Sequence, residues 1–166
     1  MRLNTQRSLR SKIINMTAEP TIAMGPRCPM GIAEIQACIP HRFPFLLVDR
    51  VEAFELSSWI VATKILSNAD TQGHFPGRSV LPGVLVIEAA AQTAAILGHL
   101  SSPSGLSSCS LAEIQNSRFR HVAIPGDVIR LDVRLSRQRA PFFWFRACAH
   151  VGDRIIADIN FSAYMK

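Results

Sequence analysis

Two side chains of this 166-residue sequence have the type and setting for proton chemistry. Glu88 lies within a run from Leu81 to Leu97 that is otherwise almost wholly apolar. A charged carboxylate there is expensive to desolvate. Such a group tends to keep a proton, which is what a general acid needs. Its bland alternative is a structural glutamate bonded to Gln92, one turn on. His74 stands in GHFPG, Gly73–Gly77. Two glycines let the backbone turn sharply there and Pro76 stiffens it. A loop imidazole held this way can act as a base near neutral pH, or can merely cap the loop. Gly83 adds a third element. At the start of a helix its N–H has no intrahelical partner and points outward with the positive end of the helix dipole. An oxyanion or enolate would be stabilised there. A base, an acid and such an amide together make an elimination site for a thioester substrate, whose α-proton is only weakly acidic.

The elements that must hold these groups are readable from periodicity. Pro82 suits the first position of a helix, which should run to about Leu97 with Gly98 near its end. Val84, Leu85, Val86, Ile87, Ala89, Ala90, Ala91, Ala94 and Ala95 are apolar on every side, so the helix should be buried all round. Gly31–Cys38 reads as a short helix ended by Pro40. Phe45–Glu55 and Ser58–Ser67 read as a hairpin. A strand is expected at about Leu111–His121. Ile129, Leu131, Val133 and Leu135 alternate with polar residues, as do Phe143–Val151 and Ile155–Ala163, with a tight turn at Gly152-Asp153. One buried helix and about six strands require an antiparallel sheet wrapped round the helix, an α+β arrangement.

Composition excludes several classes. At 48% apolar and 18% charged this is an ordinary globular chain. The run Leu81–Leu97 is short and carries Glu88 and Gln92, which disfavours a membrane span. Of the net charge of +6, residues 1–30 hold +4. They read as a separate basic tail or leader, and residues 31–166 as the folded domain. No basic run interleaved with aromatics marks a nucleic-acid face. Arg118, Arg120, Arg130, Arg134, Arg137 and Arg139 outnumber Asp127 and Asp132 nearby, either as a solvated strand face or as a landing patch for an acidic partner. Cys28, Cys38, Cys109 and Cys148 form no CxxC, and His41, His99, His121 and His150 have no metal-ligand spacing. These are read as structural or surface residues. GxSxG, P-loop and GxGxxG motifs are absent.

Four ordered blocks resemble the FabZ-type 3-hydroxyacyl-(acyl-carrier-protein) dehydratases. They are Ile39–Val51 (IPHRFPFLLVDRV), Gln72–Gly77 (QGHFPG), Leu81–Gln92 (LPGVLVIEAAAQ) and Arg118–Asp127 (RFRHVAIPGD). The resemblance runs from about Ile32 to the C-terminus. It implies a hotdog fold, a homodimer, often a trimer of dimers, and no cofactor. It also implies a substrate carried on the phosphopantetheine arm of acyl carrier protein and delivered through a tunnel at the dimer interface. His74 would remove the α-proton, oriented by the Val80 carbonyl, and Glu88 of the other subunit would handle the leaving hydroxyl. Gly83 would hold the thioester oxygen. The related FabA enzymes carry Asp where this chain has Glu88, which favours dehydration without isomerisation. The expected setting is fatty acid synthesis in the cytoplasm, or an organelle if residues 1–30 are a transit peptide. Two rivals are a hotdog thioesterase and a non-catalytic acyl-thioester-binding hotdog protein. The chain departs from the family pattern at Asn68–Gly77, one residue short and lacking an aromatic pair. Ser110 and Gln115 stand where a Tyr and an Asp are usual. The catalytic pair carries over; the tunnel's shape does not.

Overall fold

The computed structural model describes residues 28–166. Most of the basic segment expected at 1–30 lies outside the described residues. Its far end belongs to the fold: Met30 is buried and exchanges two backbone hydrogen bonds with Val51.

The elements are α1 (Ile32–Cys38), β1 (Arg50–Glu55), β2 (Trp59–Ile65), α2 (Gly83–Ser101), β3 (Cys109–Phe119), β4 (Val128–Arg139), β5 (Phe142–Val151) and β6 (Arg154–Met165). The strands form one antiparallel sheet in the order β1-β2-β4-β5-β6-β3. Its register follows from the period-2 pattern. Leu131 and Val133 lie opposite Ala149 and Ala147, and Phe145 lies opposite Phe161. All of these are buried on the concave face. Arg130, Asp132 and Arg134 alternate with them on the outer face. α2 lies in the concavity against β2, β4, β5 and β6. This is the hotdog fold expected from the sequence. By length and composition α2 could cross a membrane; here it is the core helix of the sheet.

Three boundaries differ from expectation, each for a physical reason. β1 begins at Arg50 rather than Phe45, because the Phe45 carbonyl and the Leu47 N–H bond to the side chain of Gln92 instead of to a strand. Pro82 is the N-cap rather than the first helical residue. α2 runs past Gly98 to Ser101. Gly98 marks a close approach instead, since a Cβ there would stand 2.8 Å from the Met165 sulfur and 3.0 Å from Leu106 Cδ1.

Candidate active site

His74 is positioned by a loop that anchors at one end on a buried ion pair. A 3-10 turn, Asn68–Thr71, follows β2. Asp70 accepts hydrogen bonds from the Ser67 N–H and hydroxyl, both at 2.7 Å, and lies 3.2 Å from the buried Lys64 ammonium. Lys64 also reaches Asp49 at 3.3 Å. Desolvation pushes the Asp70 carboxyl up, but the Ser67 hydrogen bonds and the Lys64 charge outweigh it and leave it below the usual carboxylate value. Beyond the turn, Gly73 and Gly77 adopt φ of 81° and 76°, conformations that L side chains rarely take. Phe75 and Arg78 exchange backbone hydrogen bonds between them.

The His74 ring is held by a hydrogen bond and lies against the Phe75 ring, centroids 3.8 Å apart. Its Nδ1 lies 3.0 Å from the Val80 carbonyl oxygen, and the Val80 N–H returns a 2.9 Å bond to the His74 carbonyl. A carbonyl only accepts, so Nδ1 carries the hydrogen and Nε2 keeps its lone pair. Nε2 is thus the basic atom.

Gly83 opens α2 directly after the Pro82 N-cap. The ring of Phe119 lies so close that a Cβ on Gly83 would come within 2.9 Å of it. Glycine at this position is therefore a packing requirement as well as a source of an unpaired helix-start N–H.

Glu88 is less buried than its apolar neighbourhood suggests: its side chain is 23% exposed in the single chain. The sheet wraps only part of the helix. Val84, Leu85, Glu88 and Ala91 form a stripe that it leaves partly or wholly uncovered. Gln92, at 1% exposure, donates from Nε2 to Glu88 Oε1 at 2.9 Å and to the Phe45 carbonyl at 2.8 Å. Its Oε1 accepts the Leu47 N–H at 2.8 Å. The expected Gln92 contact is present, and it also braces the carboxylate against the chain ahead of β1.

His41 was read from sequence as a structural or surface residue. Its Nε2 stands 3.5 Å from Glu88 Oε1, and its Nδ1 is buried with no hydrogen-bond partner among the described residues. Only the long-range packing of segment 39–47 on α2 makes this contact, so no local signal could have revealed it. Both residues line a cleft of about 190 Å³ with Cys38, Ala95, Cys109 and Leu111. Burial and then the Glu88 charge push the Cys109 thiol up to about 11. His74 is not among the residues lining this cleft.

The six arginines are dispersed. Arg120 pairs with Asp158 at 2.6 Å and Arg130 with Asp132 at 2.9 Å. Asp132 also binds His150. Arg137 stacks on Trp144, 4.8 Å from the ring centre. Arg134 lies opposite Arg146, a neighbour the sequence reading missed. Arg118 and Arg120 lie at the far side of the sheet, separated from β4 by β5 and β6.

Residues 39–160 match the FabA-like domain model. A curated 3-hydroxyacyl-[acyl-carrier-protein] dehydratase FabZ from Caulobacter vibrioides (strain NA1000 / CB15N) is 46% identical over 138 residues, covering 81% of this chain and 87% of the relative. The chain belongs to the FabA-like family. The FabZ of Rickettsia canadensis (strain McKiel) is 41% identical over 140 residues, covering 82% of this chain and 98% of that one. Among solved structures, the dehydratase heterocomplex ApeI:P from Xenorhabdus doucetiae superposes with a TM-score of 0.67 at 16% identity, over 80% of this chain and 90% of that one. At that identity the likeness speaks for the fold. Within this FabA-like chain, GHFPG and the helix bearing Glu88 both fall inside the matched span.

Proposed function

We propose that the chain dehydrates (3R)-hydroxyacyl thioesters of acyl carrier protein to trans-2-enoyl thioesters in fatty acid synthesis; its relatives are named 3-hydroxyacyl-[acyl-carrier-protein] dehydratases. The observation that carries this reading is the His74 ring, held through Nδ1 by the Val80 carbonyl with Nε2 left basic. His74 Nε2 removes the α-proton. The Gly83 N–H receives charge as it builds on the thioester oxygen. The Glu88 carboxyl protonates the departing 3-hydroxyl, and water leaves. His74 ends with one proton more and Glu88 with one fewer, and exchange with solvent resets both. Every step moves a proton, and no cofactor is assigned a part.

The site is shared between two copies of the chain. His74 does not line the cleft of Glu88, and the uncovered stripe of α2 offers Ala91 for close approach. β3 is a sheet edge of 11 residues with Leu111, Ile114 and Phe119 exposed. An apolar open edge of that length is a template for strand pairing. A twofold pairing of β3 with β3 of a second copy would cover both features. The catalytic domain in this reading takes in Met30 as well as residues 31–166, and the cytoplasm is its compartment.

The test is turnover of (3R)-hydroxyacyl carrier-protein thioesters, followed as conjugated enoyl product and, separately, as free thiol. Enoyl product without thiol release is expected. His74→Ala and Glu88→Gln should each lower the rate by ~10²–10⁴-fold. Thiol release without enoyl product would make the protein a thioesterase, and neither signal would make it a binding protein.

A further inference from the structure

We propose that Leu106 is the end wall of the acyl groove and sets the longest chain accepted. The inference rests on the dehydratase reading above. The cleft beside Glu88 continues along one face of α2, past Ala91 and Ala95, and meets Leu106. A second chamber of about 300 Å³ lies at the C-terminal end of α2, lined by apolar Leu97, Leu135, Phe143, Phe145 and Met165 and by polar residues including Ser57, Gln138 and Lys166. Leu106 alone among the described residues lines both spaces. Glu88, Ala91, Ala95 and Gly98 follow one another at helical steps of three and four. They form a continuous floor about 15 Å long with little side chain beyond Glu88. An alkyl tail attached to a thioester at Glu88 fits such a floor, and the Leu97, Leu135, Phe143, Phe145 and Met165 side of the second chamber can take its end.

The wall is held in place. The Leu106 N–H donates to His99 Nδ1 at 3.2 Å, and Leu106 Cδ1 packs where a Gly98 side chain would stand. Gly105 sits against the His99 ring at a φ of 73°, and Ser102 Oγ donates to the Gly105 carbonyl at 2.8 Å. Beyond it, the Ser107 and Ser108 N–H groups bond to the Lys166 carbonyl at 2.6 and 3.0 Å. A leucine tied on both sides closes the groove; a smaller residue there joins the two spaces.

The experiment is the chain-length profile of kcat/KM for wild type, Leu106→Ala and Leu106→Trp, from four carbons upward. A methylene in an apolar pocket is worth roughly 10–200-fold in discrimination. Leu106→Ala should raise kcat/KM at least tenfold for chains just beyond the wild-type limit. Leu106→Trp should lower it as much for the longest chains accepted, and both should spare the four-carbon substrate, which also reports that the variants fold. An unchanged length profile in either folded variant overturns the role of Leu106. Failure of wild type to dehydrate any chain length instead overturns the underlying reading. Should Leu106→Ala lose four-carbon turnover, Leu106→Trp decides alone.

Discussion

Gln92 Nε2 donates to Glu88 Oε1 over 2.9 Å while the rest of the same amide holds the backbone at Phe45 and Leu47. One buried side chain thus ties the candidate acid to the segment that carries His41. The Nε2 donor addresses Oε1, so the proton a general acid must give belongs on Oε2.

Gln92→Leu conserves approximate size but removes the partner of the Leu47 N–H and the Phe45 carbonyl. The buried Leu47 N–H left unpaired costs about 1–3 kcal/mol, while Phe45 is half exposed and its carbonyl can turn to water. The expected result is a loss of about 1–3 kcal/mol in denaturant unfolding together with a fall in dehydration rate. Unaltered stability would show that water or the chain satisfies those groups without Gln92.

Asp70→Asn should loosen the His74 loop. The carboxyl sits below its ordinary value in the fold, so its stabilisation is present above the unfolded value of 3.8 and is lost as pH falls through the folded value. Wild type should exceed the variant in stability at pH 7, and the difference should shrink as pH falls below 3.8 through the lower folded value. Lys64 keeps its Asp49 contact, so the loss at pH 7 should fall below the about 3–5 kcal/mol of a buried charge left unpaired. A difference that does not change between pH 7 and pH 3 would contradict the role of the Asp70 charge.

Much of this was legible in the sequence because the deciding patterns are local. Period-2 alternation specified β4, β5 and β6, and an apolar helix specified what the sheet must wrap. GHFPG marked the turn that holds His74. What escaped was set by contacts distant in the chain. Gln92 diverts Phe45–Leu47 from the sheet, His41 is delivered to Glu88 by segment packing, and Gly98 answers to Met165 and Leu106 across the core. The open stripe at Val84 and Glu88 also escaped, because an apolar helix gives no sign of which face a single sheet leaves bare.

We propose that an acidic carrier protein docks on the outer face of the sheet near Arg134 and Arg146, which lie opposite each other without an ion pair among the described residues. Like charges opposed across strands are unfavourable unless something anionic meets them. Arg134→Glu with Arg146→Glu should raise the apparent KM for carrier-bound substrate severalfold, most at low salt, and leave a short thioester mimic unaffected. Equal effects on both substrates would contradict docking there.

The pairing of His74 from one chain with Glu88 from another is tested most directly by complementation. Inactive His74→Ala and inactive Glu88→Gln are mixed, unfolded and refolded together, with subunit exchange confirmed by mass. Random twofold pairing makes about half of the dimers mixed, each with one intact site and one doubly defective site. Recovery to roughly a quarter of wild-type dehydration is the expected result. Activity that stays at the level of the separate variants, in dimers shown to be mixed, would mean that each site draws both residues from one chain.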